Sequence, residues 1–294
     1  MLPQKSIAAL FIASFFFSSA AILVRFATQA SDLSLAFFRL VIAAAAMVIL
    51  ALATKNLRGV KRCELALAGV SGIFLSLHFM AFIVAVRETT VANATFLVNT
   101  SPVMLAVLSP LLLKERTTSR EGVSIIVAIF GVLLVANAGN GFGSFGLGQV
   151  SALLAAFLVS VYSVIGRFLR TRGLDTACYT AYAYSFGTLV ALLVVAGTGA
   201  TVYHAYNIQN VLAILGLGLF PTAIGHTLYN YSLGSVKTVT ANIVPLLEPI
   251  IASGLAVTLF GEVPTLVEVC GYALILVAVV IVVSGIRPSE VLFV

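Results

Sequence analysis

Long apolar stretches, each broken after roughly twenty residues by a short cluster of charge, Gly, Ser or Asn, run the length of the chain. A helix needs about 20 mostly apolar residues to cross the roughly 30 Å hydrocarbon core of a bilayer. Ten such stretches are present, at 6–26, 33–54, 64–86, 90–113, 122–138, 148–168, 175–197, 208–232, 237–260 and 265–286, the fifth being the shortest. Outer-membrane barrel strands alternate apolar and polar residues over about ten positions, a pattern these continuous runs lack. Every backbone polar group in lipid must be satisfied internally, so the predicted fold is all-α, a polytopic bundle of ten transmembrane helices.

Composition narrows the class further. Of 294 residues, 61% are apolar and 9% charged, against about 25% charged in soluble domains. A soluble protein is excluded, and ten spans leave only short loops and no aqueous domain. The formal net charge of +6 is spread over those loops rather than gathered on one face, so nucleic acid is not an expected partner. Cys63, Cys178 and Cys270 have neither the paired count of a disulfide framework nor the spacing of a zinc or redox motif. They read as small packing residues, and neither a metal nor a cofactor is expected.

Basic residues orient the bundle, because short cytoplasmic loops collect Lys and Arg. With the N-terminus inside, the cytoplasmic segments hold Lys5; Lys55, Arg58, Lys61 and Arg62; Lys114, Arg116 and Arg120; Arg167, Arg170 and Arg172; Lys237; and Arg287, thirteen of the 16 basic residues. The outer side keeps Arg87, while Arg25 and Arg39 lie within spans. Both termini are therefore expected in the cytoplasm. Lys5, the apolar stretch after it and Ser18-Ser19-Ala20-Ala21 also match a cleavable signal peptide, but an internal repeat requires this helix. Residues 290–294, Glu-Val-Leu-Phe-Val, look like what a protease leaves of an expression tag and are set aside from function.

Displaced by 147 residues, the fourth and fifth spans fall on the ninth and tenth: Ala94 on Ala241, Pro102 on Pro249, Leu112 on Leu259, Glu115 on Glu262, Thr118 on Thr265 and Glu121 on Glu268. The first and sixth spans echo each other at an offset of 142, Ile22-Leu23-Val24-Arg25-Phe26 against Val164-Ile165-Gly166-Arg167-Phe168. The chain thus reads as two five-helix repeats, 1–143 and 144–289. Five is odd, so the second repeat enters the membrane from the opposite side and the repeat is inverted. Two near-equivalent halves of opposite orientation can expose one midplane cavity to each side in turn, the alternating access of a secondary transporter. A duplication kept only for stability is the competing explanation.

The segment Pro245-Leu246-Leu247-Glu248-Pro249-Ile250, followed by Phe260-Gly261-Glu262, resembles the ninth-helix signature of the drug/metabolite transporter superfamily in its EamA branch. Ser101-Pro102 and Lys114-Glu115-Arg116 are similar to the matching fourth-helix signature. The resemblance covers both repeats. More narrowly, the chain looks like YddG-type bacterial exporters of aromatic and other neutral amino acids. That resemblance implies export across the bacterial cytoplasmic (inner) membrane, with amino acids and the lipid bilayer as partners and a monomer as a sufficient unit.

Ionisable groups inside a bilayer are costly, about 2.5–3.5 kcal/mol at a helix centre on insertion scales, and mark a pathway or a pair. Arg25, near the end of its span, is expected to snorkel to the interface. Arg39, about six residues in, can snorkel, pair with a carboxylate or face a cavity. Glu248, between Pro245 and Pro249, is the obvious carboxylate for a buried arginine, whether as a structural or coupling ion pair or as a substrate contact. His78, central in the third span, offers an amino acid headgroup a donor and an acceptor and titrates near neutral pH when unperturbed; bonding to a neighbouring helix is the alternative.

Polar residues complete a candidate substrate site of His78, Asn99, Thr100, Tyr184, Tyr229, Asn242 and Glu248, with Pro102, Pro245 and Pro249 as hinges or helix breaks. Thr222, His226, Tyr229 and Asn230 repeat at helical spacing, as do Thr238, Asn242, Pro245 and Glu248; helix-to-helix hydrogen bonding is the default role of such stripes. Tyr179, Tyr182 and Tyr184 cluster in the seventh span, with interface anchoring as the default for the group and Tyr184 deep enough to line a cavity.

No Walker-type loop is present, so the chain does not couple directly to ATP. A passive channel for small metabolites is the alternative to a carrier. An enzyme reading rests on Gly69-Val70-Ser71-Gly72, which matches the G-x-S-G of intramembrane serine proteases, with His226 as the would-be base. Small residues in such a pattern are also common where helices cross closely, and an inverted repeat gives a protease no advantage.

Overall fold

The computed structural model describes residues 2–55, 57, 60–137, 146–200 and 206–285. Arg58, Arg287, the expected repeat boundary at 143/144 and residues 290–294 lie outside the described residues. Helices account for all ten spans and there is no strand among the described residues. Five spans are single helices of at least 22 residues: α1 Leu2–Phe26, α2 Asp32–Ala53, α3 Arg62–Glu88, α7 Leu147–Thr171 and α8 Thr176–Thr198. The fifth span is α6 Ser119–Asn137 and the tenth α13 Leu266–Ser284. Polar loop residues set the helix starts. Ser31 Oγ accepts from Ser34 N (3.2 Å), Asp175 Oδ1 from Ala177 N (2.9 Å) and Asn207 Oδ1 from Asn210 N (2.9 Å), supplying the first-turn N–H groups with acceptors.

Three spans are broken, each at proline: the fourth and ninth near the expected Pro102 and Pro245, and the eighth at Pro221, where no break was expected. The fourth is α4 Val91–Val98 and α5 Ser101–Leu113, separated by a turn at Asn99 and Thr100, with Pro102 in the first turn of α5. The ninth is α11 Thr238–Ile243, a 3₁₀ turn Val244–Leu246 containing Pro245, and α12 Leu247–Phe260. The eighth is α9 Ile208–Leu217, a π-helical stretch Gly218–His226 containing Pro221, and α10 Thr227–Ser232. Proline has no N–H for the helical ladder and crowds the carbonyl four residues back, so the ladder yields there.

The repeat seen in the sequence is also a repeat of local structure. Lys114 (φ 59°) and Gly261 (φ 70°), 147 residues apart, both end their helices in the left-handed region. The next amide closes each helix in the same way, Glu115 N to Ser109 O and Glu262 N to Ala256 O, both 3.3 Å. Thr118 with Glu121 and Thr265 with Glu268 then make matching capping boxes at the starts of α6 and α13.

The halves interlock along α2 on α8 and α6 on α13, while α3 lies along α7 and α1 along the eighth span. Glycines set the closest crossings. A Cβ on Gly72 of α3 would lie 2.3 Å from the Ala183 carbonyl oxygen of α8; a Cβ on Gly131 of α6 would lie 2.7 Å from Gly271 O of α13, and one on Gly271 would lie 2.6 Å from Gly131 O. Under the 147-residue offset this last crossing maps onto Ser124 and Ala278, which are joined by a 2.8 Å hydrogen bond from Ser124 Oγ to Ala278 O.

Two ion pairs tie the repeats at opposite ends of the bundle, and the sequence echo already relates them. At the end bearing the N-terminus, where Ser6 Oγ meets Ser235 Oγ at 2.6 Å, Arg167 Nε donates to Glu115 at 2.6 Å. At the other end, where Asn207 N donates to Gln29 Oε1, Arg25 lies 3.7 Å from Glu262. Arg25 therefore does more than snorkel: its Nε and Nη2 donate to the carbonyls of Val86 and Thr89 at the end of α3.

Candidate functional site

The breaks in the fourth, eighth and ninth spans meet at one cavity. Its wall is made by Phe17, Ala20, Arg39, His78, Phe82, Val98, Asn99, Ser101, Val159, His226, Tyr229, Asn242, Pro245 and Glu248, drawn from both repeats. The space free of atoms is about 550 Å³ including its open side. Most of the lining is apolar or aromatic, with a few convergent polar groups, the usual make-up of a small-molecule site.

Arg39 owes its position to the proline in the eighth span. Pro221 cannot donate to the carbonyl of Leu217, four residues back; the π-helical pattern passes that carbonyl to the next residue, Thr222, whose hydroxyl also donates to it, at 2.8 Å. The same hydroxyl oxygen accepts from Arg39 Nε at 2.6 Å. The guanidinium lies 3.6 Å over the ring of Phe79, which fixes its plane. Arg39 Nη1 has no hydrogen-bond partner among the described residues, although the side chain is buried.

Across the cavity, Glu248 Oε2 accepts from Asn99 Nδ2 (3.3 Å), a bond between the breaks of the two repeats. Ser101 Oγ donates to Asn242 Oδ1 (3.2 Å), Asn242 Nδ2 to Tyr229 OH (2.5 Å) and Tyr229 OH to Ser163 Oγ (2.6 Å), a chain that joins the fourth, ninth, eighth and sixth spans. His78 Nδ1 is 2.8 Å from Ala155 O; a carbonyl only accepts, so this nitrogen carries the proton and Nε2 is left as an acceptor. The ring of His226 lies 6.2 Å from that of His78, and its Nδ1 has no partner among the described residues.

A family model described as the EamA-like transporter family matches residues 4–137 and again 146–284, together most of the chain. The chain belongs to the EamA-like transporter family. An "uncharacterized transporter" of Clostridium kluyveri is 28% identical over 80% of this chain and 79% of its own length. The "uncharacterized transporter YdfC" of Bacillus subtilis is 30% identical over 81% and 77%. A "probable terminal-alkyne amino-acid exporter" of Streptantibioticus cattleyicolor is 28% identical over 84% and 82%. One solved crystal structure superposes with a TM-score of 0.75 over 95% of this chain and 96% of that one, at 19% identity, a likeness of fold.

As an EamA-family member the chain is a membrane transporter and not an enzyme. The elements of the protease motif are absorbed by packing. Ser71 Oγ pairs with Tyr179 OH at 2.5 Å rather than with a histidine, and Gly72 is the closest point of the α3–α8 crossing.

Of the residues expected at a substrate site, His78, Asn99, Tyr229, Asn242 and Glu248 share the cavity, as does Pro245. Thr100 does not: its hydroxyl caps Leu97 O (2.7 Å), and the residue faces a smaller pocket against α6 together with Pro102. Tyr184 is fully buried away from the cavity, its OH 3.3 Å from Thr222 O and from Thr227 Oγ1. Tyr179, expected at the interface, is likewise fully buried. Pro249 falls inside α12, one step past the break itself. Arg39 and Glu248 line the same cavity without meeting: the ion pairs within 4.0 Å among the described residues are Arg25–Glu262, Arg87–Asp32 and Arg167–Glu115. His226 lines the cavity although its helical stripe alone suggested packing; Pro221, five residues earlier in an apolar span, was the available signal. Phe17, Phe82, Val98 and Val159 carried no signal, since an apolar residue in a membrane helix looks the same on either face.

Proposed function

We propose that the protein exports neutral amino acids, aromatic ones among them, across a bacterial inner membrane by alternating access, with both termini in the cytoplasm. The observation that carries this reading is the position of the cavity, at the junction of two oppositely oriented repeats and walled by every broken span among the described residues. Its apolar walls and small set of polar groups suit a single neutral, bulky solute, and a relative named as an amino-acid exporter is consistent with that class. Purified protein in liposomes is expected to take up radiolabelled phenylalanine and leucine but not sugars, and to show saturable counterflow. Uptake of sugars in preference to amino acids overturns the substrate class, and flux without counterflow would identify a pore. Repeating the assay with and without an imposed pH gradient separates proton-coupled from facilitated exchange.

A further inference from the structure

Arg39 and Glu248 are the only formally charged residues in the cavity wall among the described residues, one of each sign. Both are almost fully buried, at 2% and 8% exposure. Opposite charges in such surroundings ordinarily close on each other, because an uncompensated buried charge is expensive. Here each is held apart from the other by its own support. Thr222 and Phe79 hold the guanidinium, and Asn99 holds one carboxylate oxygen. Each also has hydrogen-bonding capacity left over. The bond from Arg39 Nε to Thr222 is the guanidinium's one hydrogen bond among the described residues, and Nη1 is buried with none. Glu248 Oε1 accepts no hydrogen bond among the described residues.

Ligand classes can be sorted by what they would leave unpaired. A phosphate or dicarboxylate would meet one positive charge and one negative. An amine would leave the guanidinium unsatisfied and a carboxylic acid the glutamate, while a sugar could hydrogen-bond to both but neutralise neither. An α-amino acid brings a carboxylate and an ammonium on one carbon and, with an uncharged side chain, leaves net charge unchanged. Phe17, Phe82, Val98 and Val159 provide the apolar wall for that side chain.

We propose, resting on the amino-acid reading above, that Arg39 binds the α-carboxylate and Glu248 the α-ammonium of a zwitterionic substrate, so that headgroup recognition is a two-point clamp built from opposite repeats. Holding the two groups apart before the substrate arrives is preorganisation: no closed ion pair has to be separated on binding. Specificity for the headgroup then comes from the buried groups that an incomplete ligand would leave unpaired.

The test is displacement of radiolabelled L-phenylalanine from the purified protein by phenethylamine, which lacks the carboxylate, and by 3-phenylpropionate, which lacks the ammonium. Each is expected to bind about ten-fold or more weakly than phenylalanine, the weight of one charge-assisted hydrogen bond. Glu248→Gln is expected to weaken phenylalanine by about ten-fold while leaving 3-phenylpropionate within about two-fold, and Arg39→Lys to spare phenethylamine in the same way. These ligand comparisons on the unmodified protein stand even where a substitution at Arg39 fails to fold. Displacement by either analogue as strongly as by phenylalanine itself overturns the clamp and leaves amino-acid export standing. Binding of some other solute with no binding of phenylalanine or leucine overturns both.

Discussion

At Thr222 one hydroxyl serves two partners, donating to the carbonyl of Leu217 and accepting from Arg39. Thr222→Val keeps the shape and removes both hydroxyl bonds; the Leu217 carbonyl keeps the i→i+5 backbone bond of the π-helical stretch, but the buried guanidinium nitrogen loses its acceptor. A buried polar group left unsatisfied costs about 1–3 kcal/mol, so Val is expected to lower the melting temperature in detergent and to reduce transport, with Thr222→Ser retaining both. Equal behaviour of Val and Ser would show that the hydroxyl does not seat Arg39. At this scale the sequence was partly legible. Ionisable side chains in an apolar span stand out because lipid makes them costly, and that logic found Arg39, His78 and Glu248. It misplaced Tyr184 and Thr100, whose polar groups are satisfied locally, because depth in a span says nothing of which way a side chain points. It also left open whether Arg39 and Glu248 pair, a matter decided by Asn99, Thr222 and Phe79 on other helices.

At the scale of the element, the tightest glycine crossing among the described residues is at Gly72, where a Cβ would overlap the Ala183 carbonyl oxygen on α8. Since the obstacle is backbone, no rotamer change relieves it. Gly72→Val is expected to separate α3 from α8, seen as a fall of several degrees in melting temperature or loss of a monodisperse peak in size-exclusion chromatography; a wild-type melting curve would mean that the helices slide apart freely. Span number and approximate limits were legible because hydrocarbon thickness imposes one length on all of them. The three breaks were signalled only by proline, and proline does not state which irregularity follows. At Pro102 it is a turn, at Pro245 a 3₁₀ turn and at Pro221 a π-helical stretch.

For the whole molecule, the two repeat-related ion pairs are unequal. Arg167 and Glu115 are 2.6 Å apart with side chains 10% and 8% exposed, and Glu115 Oε2 also accepts from Thr238 N and Oγ1; Arg25 and Glu262 are 3.7 Å apart, 30% and 29% exposed. Removing one partner of a buried pair costs about 3–5 kcal/mol, whereas an exposed pair is worth about 0–1 kcal/mol. Glu115→Gln is therefore expected to destabilise the protein clearly more than Glu262→Gln in parallel thermal melts, and equal shifts would contradict the inequality. The inverted repeat itself was legible, because six identities at one offset follow from a symmetry that the membrane and an odd helix count impose. The charged site was not legible from that symmetry, since the 147-residue offset puts Ser101 opposite Glu248: the scaffold is symmetric and the cavity's chemistry is not. The α6–α13 seam takes this further. It meets backbone to backbone at Gly131 and Gly271 and maps onto itself at Ser124 and Ala278. An interface that is its own image is the kind two identical chains form about a twofold axis. The molecule thus carries a homodimer-like contact inside one polypeptide, and covalent linkage holds its two halves at a high effective concentration.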